Sequence, residues 1–397
     1  MKVFIITKVS FPYGWAATNR IKCLAKSFIE GGADCRVVVF GRNSSKETVA
    51  AKGIFEGIPY EYIGSSTIRK SGNIRGRLQA FGLQIHLLFY LAKNLCKGDY
   101  VCSYINKNNF FRRVLISLTH WRKSFFISEL CELPYGTGKE TDDAKKGRKY
   151  EFDKLFPLYD GVIAISDALK DLAGNYCSPR CVIAKVPILV EFEKYDMPDK
   201  SKEADYPYIF HSGTLYEQKD GILGMIEAFG LAHKKLSIPP HFILTGQKES
   251  SPHCREIEKL IKQYRIEDYV HFVGYLSHEE LKDTLSKASL VIINKYPTQQ
   301  NIYCFSTKLG EYLAAGKPTI ITNVGEAMNW LTDKEDCVVV EPNNVDVLSD
   351  AIVEAFNHPE EMSRLGDNAR QTCRRAFDYR SHVSVLKKML NQIVENN

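Results

Sequence analysis

Residues 301–322 read NIYCFSTKLGEYLAAGKPTIIT. They follow an apolar run, Ser289-Leu-Val-Ile-Ile-Asn294, of the kind that forms a buried parallel strand. Ser306 is placed to cap a helix, and Gly316 sits where that helix needs a left-handed residue to end. Pro318 then stops the helix and opens the next strand, Thr319 to Thr322. Leu309, Tyr312 and Leu313 give the helix a core-facing stripe. Glu311 lies four residues after Thr307, on one face of the helix. A strand, a polar loop, a helix start with free N–H groups and a carboxylate one turn on suit a phosphorylated sugar: N–H groups for phosphate oxygens, carboxylate for ribose hydroxyls. The plain alternative is an ordinary βα unit whose helix is merely capped by Ser306.

Working outward, 397 residues exceed one typical core, so two domains are expected. A hydrophobic content of 44% and a charged content of 25% are those of an ordinary globular protein. The net charge of +6 is modest and spread rather than striped, which argues against a nucleic-acid binder. Eleven cysteines occur without a CxxC, and the nearest pair, Cys177 and Cys181, lacks partners for a metal site. Reduced thiols in a cytoplasmic protein are expected. The first residues, MKVFIITKV, read as a strand rather than a signal peptide, and no run approaches the roughly 20 apolar residues of a membrane span.

Two α/β series follow one another. The first has strands at Lys2–Val9, Cys35–Phe40, Tyr100–Ile105, Ser124–Glu129 and Gly161–Ile165. A loop of small residues around Gly14 and a helix from Asn19 to Glu30 follow the first strand. Residues 42–76 read as polar loop with a basic cluster, Arg69, Lys70, Arg75 and Arg77, before an apolar helix, Leu78–Cys96. Such a pair fits a core helix beside a solvated loop or, alternatively, peripheral contact of 69–96 with the inner face of a membrane. Lys139–Lys149 reads as a mobile loop or an exposed helix start. Val182–Val190 closes the domain, and the charged stretch 191–205 reads as linker. The second series has strands Tyr208–His211, His241–Thr245, Val270–Val273, Leu290–Ile293, Thr319–Thr322 and Val338–Val340, with helices between them and after Val345.

Absent motifs narrow the chemistry. No GxGxxG follows an opening strand, Pro318 spoils any P-loop reading of Gly310–Lys317, and GxSxG and HExxH are missing. No two aspartates are separated by one residue, and the ten histidines show no ligand spacing, so no metal and no cofactor are expected. In the second series Ser212-Gly213-Thr214 can bring backbone N–H groups to a ligand. Lys219, in Gln218-Lys219-Asp220-Gly221, can neutralise a diphosphate leaving group. Gly246 and Gly274 end strands, as if to admit a flat ring, though either could be a simple turn glycine.

The Gly14 loop, Ser212-Gly213-Thr214…Lys219-Asp-Gly221, Thr245-Gly246, Phe272-Val-Gly274 and Phe305-Ser-Thr-Lys308…Glu311-Tyr-Leu-Ala-Ala-Gly-Lys-Pro318 together resemble the retaining GT-B glycosyltransferases of family 4, the glycosyl transferases group 1 type. The resemblance runs over nearly the whole chain. It implies two Rossmann-like parallel-sheet domains facing a cleft: 1–190 on the acceptor side and 206–375 for the donor. A C-terminal helix, within 376–397, would cross back to the first domain. It also implies donor contacts at Gly14, Ser212, Gly213, Thr214, Lys219, Gly246, Gly274, Tyr303, Ser306, Thr307, Lys308 and Glu311, with Lys219 on the diphosphate and Glu311 on the ribose. Departures are Tyr303, where many relatives carry a glutamate, and Thr214, where many carry an arginine. Cys131 and Glu132 stand near where the family often has a histidine, and Glu132 is the candidate catalytic group there beside Lys219. The function implied is a metal-independent transfer of sugar from a nucleotide-diphosphate sugar to a glycan or lipid-linked acceptor, as in polysaccharide biosynthesis. A nucleotide-sugar epimerase or hydrolase on the same fold, or an inactive glycan- or nucleotide-binding partner, are the rival readings.

Overall fold

The structure is a computed structural model that describes residues 1–43, 48–64, 67, 73–105, 108–136, 140–195 and 204–397, with backbone alone for 73–75 and 77. Arg69 and Lys70 lie outside the described residues, as do the side chains of Arg75 and Arg77, Lys139 and most of the expected linker. The chain divides into two compact units, one of residues 1–190 with 379–397 and the other of residues 191–378.

The first unit runs β1 (Lys2–Thr7), α1 (Ala16–Glu30), β2 (Asp34–Val39), β3 (Lys52–Phe55), β4 (Ile58–Tyr62), α2 (Asn73–Asn94), β5 (Tyr100–Tyr104), α3 (Asn109–Trp121), β6 (Phe125–Leu130), α4 (Asp142–Tyr150), β7 (Gly161–Ala164), α5 (Asp167–Tyr176) and β8 (Val182–Lys185). Its eight strands lie in the order β3-β4-β2-β1-β5-β6-β7-β8, parallel except for the β3–β4 hairpin. That hairpin corrects the reading of 42–76 as loop. Its alternation is short and its turn at Glu56-Gly57 has positive φ at both residues, a local signal that periodicity alone passes over. Of the two alternatives for Lys139–Lys149, the structure has the exposed helix: α4 starts at Asp142, and Thr141 caps it by accepting from the N–H of Ala144.

Residues 379–397 close this unit. In the C-terminal helix, Val383–Asn396, the residues Leu386, Met389, Leu390 and Ile393 recur at the helical period and are buried in its core. Gly161 makes the approach close. A methyl there would lie 2.6 Å from Met389 Cε and 2.7 Å from Ile393 Cδ1. Tyr100 adds a buried anchor by donating its hydroxyl to the Leu390 carbonyl at 2.8 Å.

The second unit runs β9 (Tyr208–His211), α6 (Glu217–Asp220), α7 (Ile222–Lys235), β10 (His241–Leu244), α8 (Cys254–Tyr264), β11 (Val270–Phe272), α9 (His278–Lys287), β12 (Leu290–Ile293), α10 (Gln299–Tyr303), α11 (Thr307–Ala314), β13 (Thr319–Thr322), β14 (Val338–Val340), α12 (Val345–Asn357) and α13 (Pro359–Ala376). Six parallel strands lie in the order β11-β10-β9-β12-β13-β14. Helix α7 buries Ile222, Met225, Ile226 and Phe229 completely, at the spacing of one helix face. Strand order reverses between β9 and β12, so their C-terminal ends splay apart into a crevice, the usual ligand position in such sheets. Among the described residues no helix is long and apolar enough to cross a membrane.

Ile393→Ala should cost about 2–5 kcal/mol, because it empties a fully buried site that can relax little around Gly161. Urea unfolding measures it. A loss below about 1 kcal/mol would mean that the C-terminal helix contributes little to the first unit.

Candidate functional site

At the reversal point of the second sheet, two strand ends present charged groups to each other. His211 is the last residue of β9 and is buried. Lys295 follows β12, its backbone N–H donating to Thr322 Oγ1 at 2.7 Å. Between them lies Asp220, the last residue of the four-residue helix α6, with its side chain 2% exposed. Helix α6 can end there because Gly221 adopts φ +60, and a methyl on Gly221 would lie 2.5 Å from Asn294 Nδ2.

Lys308 completes the group. Its Nζ is 2.7 Å from Asp220 Oδ1 and 3.4 Å from His211 Nε2. His211 Nδ1 lies 3.1 Å from the Ile292 carbonyl, which can only accept, so Nδ1 carries the proton and Nε2 accepts from Lys308. Burial first, and Lys308 second, push His211 down to about 3, so it stays neutral. Burial alone would raise the Asp220 carboxyl. Lys308, with His211 and Lys295 behind it, instead holds it well below the usual carboxylate range. Lys295 donates to the Lys219 carbonyl at 2.7 Å, and burial, with Lys308 and Lys219 nearby, lowers it to about 8.

Ser212, Gly213 and Thr214 lie over this group. A methyl on Gly213 would lie 2.7 Å from His211 Nε2, 2.9 Å from Asp220 Oδ2 and 3.0 Å from Lys308 Nζ, so only glycine lets the backbone come down on the cluster. The loop is pinned by three contacts. Ser212 N–H donates to Tyr312 Oη at 2.7 Å, Gly213 N–H donates to Thr245 Oγ1 at 2.9 Å, and Thr214 N–H reaches Asp220 Oδ2 at 3.4 Å. Gly246 and Gly274 join the same edge. Gly246 N–H donates to the Gly274 carbonyl at 2.7 Å, both have positive φ, and a methyl on Gly246 would lie 2.9 Å from the Gly213 carbonyl.

Of the sequence-derived residues of the second unit, Ser212, Gly213, Thr214, Gly246, Gly274 and Lys308 gather around these strand ends, with two revisions. Ser306 occupies the cap position of α11, but its hydroxyl makes no capping hydrogen bond. Lys308 does not extend from the helix start as a lone cation; it is committed to Asp220. Lys219 is exposed, Glu311 sits half-buried at the fifth position of α11, and Tyr303 ends α10, a short helix that the sequence reading took as loop. His211, Asp220 and Lys295 were not singled out from sequence. Two of the three directly adjoin segments that were: His211 precedes Ser212, and Asp220 follows Lys219. Among the described residues no three His, Cys, Asp or Glu side chains gather as a metal site.

The remaining candidates belong to the first unit. Gly14 follows β1, where a methyl would lie 2.1 Å from Thr18 Oγ1, the hydroxyl that donates to the Ser10 carbonyl. Glu132 is half-buried just past β6. The deeply buried carboxylate at that strand end is Glu129, 2.6 Å from Arg20 Nε and accepting the Cys131 thiol at 2.7 Å. Burial and Glu129 push that thiol well up, so Cys131 is neutral.

Residues 193–372 match the family model described as Glycosyl transferases group 1. The chain is 32% identical over 142 residues, 34% of its length, to MMP alpha-(1->4)-mannosyltransferase of Mycolicibacterium hassiacum; the aligned part is 33% of that protein. It is 21% identical over 330 residues, 79% of this chain and 80% of the other, to the uncharacterised glycosyltransferase MJ1069 of Methanocaldococcus jannaschii. The Anabaena protein HepE, solved in complex with UDP-glucose, superposes with a TM-score of 0.68 at 15% identity, covering 100% of this chain and 98% of that one.

Asp220→Asn should lower the melting temperature at neutral pH, since it leaves the half-buried Lys308 without its counter-charge. Because the Asp220 carboxyl is held low, its contribution is complete above the unfolded value of about 4, declines below it and is gone once the pH has fallen through its folded value. The gap between wild type and variant should accordingly narrow below about pH 4 in melting curves; a gap constant down to acid would rule out the ion pair as its source. Residues 193–372 are thus similar to the Glycosyl transferases group 1 family, and the fold of the chain is that of solved GT-B glycosyltransferases.

Proposed function

We propose that the protein is a retaining, metal-independent glycosyltransferase that moves a sugar from a nucleotide-diphosphate sugar to a glycan or lipid-linked acceptor in the cytoplasm. One observation carries the reading. Around the glycine-built loop at the C-terminal ends of β9 and β12, Lys295 and Lys308 act on one buried carboxylate, Asp220, Lys219 is exposed near Lys295, and His211 is neutral. This local gathering of lysines suits a diphosphate. UDP-glucose bound to HepE supports the donor class.

In this mechanism negative charge grows on the diphosphate as its bond to the sugar lengthens. Lys219, exposed at the loop mouth, and Lys295 meet that charge, while the N–H groups that begin α11 add the positive end of a helix. Asp220 holds Lys308 in place. The carboxylate of Glu311 takes the ribose hydroxyls. The leaving phosphate oxygen accepts the acceptor proton on the face where the new bond forms, which retains the anomeric configuration. Glu132, at the end of β6, and Gly14, after β1, are assigned to the acceptor side and to the diphosphate respectively. Tyr303, Gly246 and Gly274 are assigned to the donor sugar and base.

Lys219→Ala and Glu311→Ala should each lower turnover by about 10²–10³-fold with the melting temperature unchanged. A thermal-shift panel of nucleoside diphosphates, followed by NMR of the product anomer, tests the assignment. Near-normal turnover in both variants, or an inverted product, would refute it. UDP affinity should also fall as the pH rises through about 8, where Lys295 loses its proton. Calorimetry across that range on wild type and Lys295→Gln decides the point, because the variant should show no such step.

A further inference from the structure

Helix α2 is apolar on two opposite faces. Leu83, Leu87 and Leu91 are buried. Leu78, Phe81, Ile85 and Phe89 form a second stripe at the helical spacing of three and four residues, with Leu78 67%, Phe81 62% and Phe89 71% exposed. Four large apolar side chains in one row are not the scattered exposure of an ordinary surface. Helix α3, packed beside α2, exposes Phe110 and Trp121, three turns apart on one side.

The sequence around this stripe is basic. From residue 62 to residue 98 the sequence carries six Lys or Arg and no Asp or Glu. Beside α2 runs a groove of about 580 Å³ lined by Arg36, Lys52, His86 and Lys93, with Glu61 and Tyr90. Glu61 is already spent: it faces Lys52 across the β3–β4 pair and accepts the Tyr90 hydroxyl at 3.1 Å. Arg36 Nε is buried with no hydrogen-bond partner among the described residues, a donor left unspent beside this groove.

We propose that α2 and its groove are the face by which the protein lies on an anionic membrane surface. The Leu78–Phe89 stripe enters the boundary between headgroups and acyl chains, and Arg36, Lys52 and Lys93 take headgroup phosphates. Among the described residues no helix can cross a bilayer, so α2 lies flat. A second copy of the chain is a poor occupant, because it would set cation against cation. This inference is independent of the donor reading, since it uses no residue of the second unit.

The test is co-sedimentation of the full chain with vesicles of phosphatidylglycerol and phosphatidylcholine, and with vesicles of phosphatidylcholine alone. Wild type should pellet with the anionic vesicles and stay in solution with the neutral ones, with binding falling as salt rises. The pair Phe81→Glu with Phe89→Glu, and separately Lys93→Glu, should each weaken binding about tenfold or more at unchanged melting temperature. If the glutamate pair lowers the melting temperature, Phe89→Gln alone reads the same contact. Wild type that ignores anionic vesicles, or variants that bind as well as it does, would overturn the proposal. So would a wild-type dimer that the Phe pair dissolves while vesicle binding persists.

Discussion

The ion pair between Lys308 and Asp220 is the constraint on which the second unit's site rests. It joins the first turn of α11 to the end of α6, two elements nearly ninety residues apart in sequence, beneath a loop whose backbone nearly touches both side chains. A buried pair of this kind adds little net stability, because desolvation offsets the Coulomb attraction. Its effect is on position. With Asp220 fixed, Lys308 is held, His211 stays neutral with its lone pair turned inward, and Gly213 has one place to lie. Removing either charge would strand the other.

The same pair sets the local field. One carboxylate absorbs one lysine and leaves Lys219 and Lys295 unbalanced near the ends of β9 and β12. The crevice at that strand reversal comes from topology, since the crossovers leave β9 and β12 in opposite directions. Glycines then line it. Gly213, Gly246 and Gly274 allow three strand ends to converge where side chains would collide or strain. Fold, glycine placement and lysine placement thus describe one feature, an edge of converging strand ends made mostly of backbone.

In the first unit, a carboxylate at a strand end is treated differently. Glu129 is closed off by Arg20, which also donates to the carbonyls of Val186 and Pro187, and by the Cys131 thiol. That arrangement ties β6 to the segment after β8 and leaves no charge to offer a ligand. Helix α2 differs again: its leucines are buried on one face while its opposite face remains apolar in solvent.

Sequence by itself determined the alternation of strands and helices, the two series and the stretch around Glu311. These depend on period, caps and glycine or proline punctuation, all local in the chain. Helix ends moved by a few residues, as at α1, which starts at Ala16 rather than Asn19. The β3–β4 hairpin and α10 escaped because each is too short for periodicity to register. Tertiary structure alone decided which charges meet. That Lys308 pairs inward with Asp220, that Lys295 joins them, and that Ser306 holds the cap position without capping all depend on distances between strand ends that no spacing rule encodes. Exposure of the Leu78–Phe89 stripe was equally out of reach, because an apolar residue in a sequence does not say whether anything covers it.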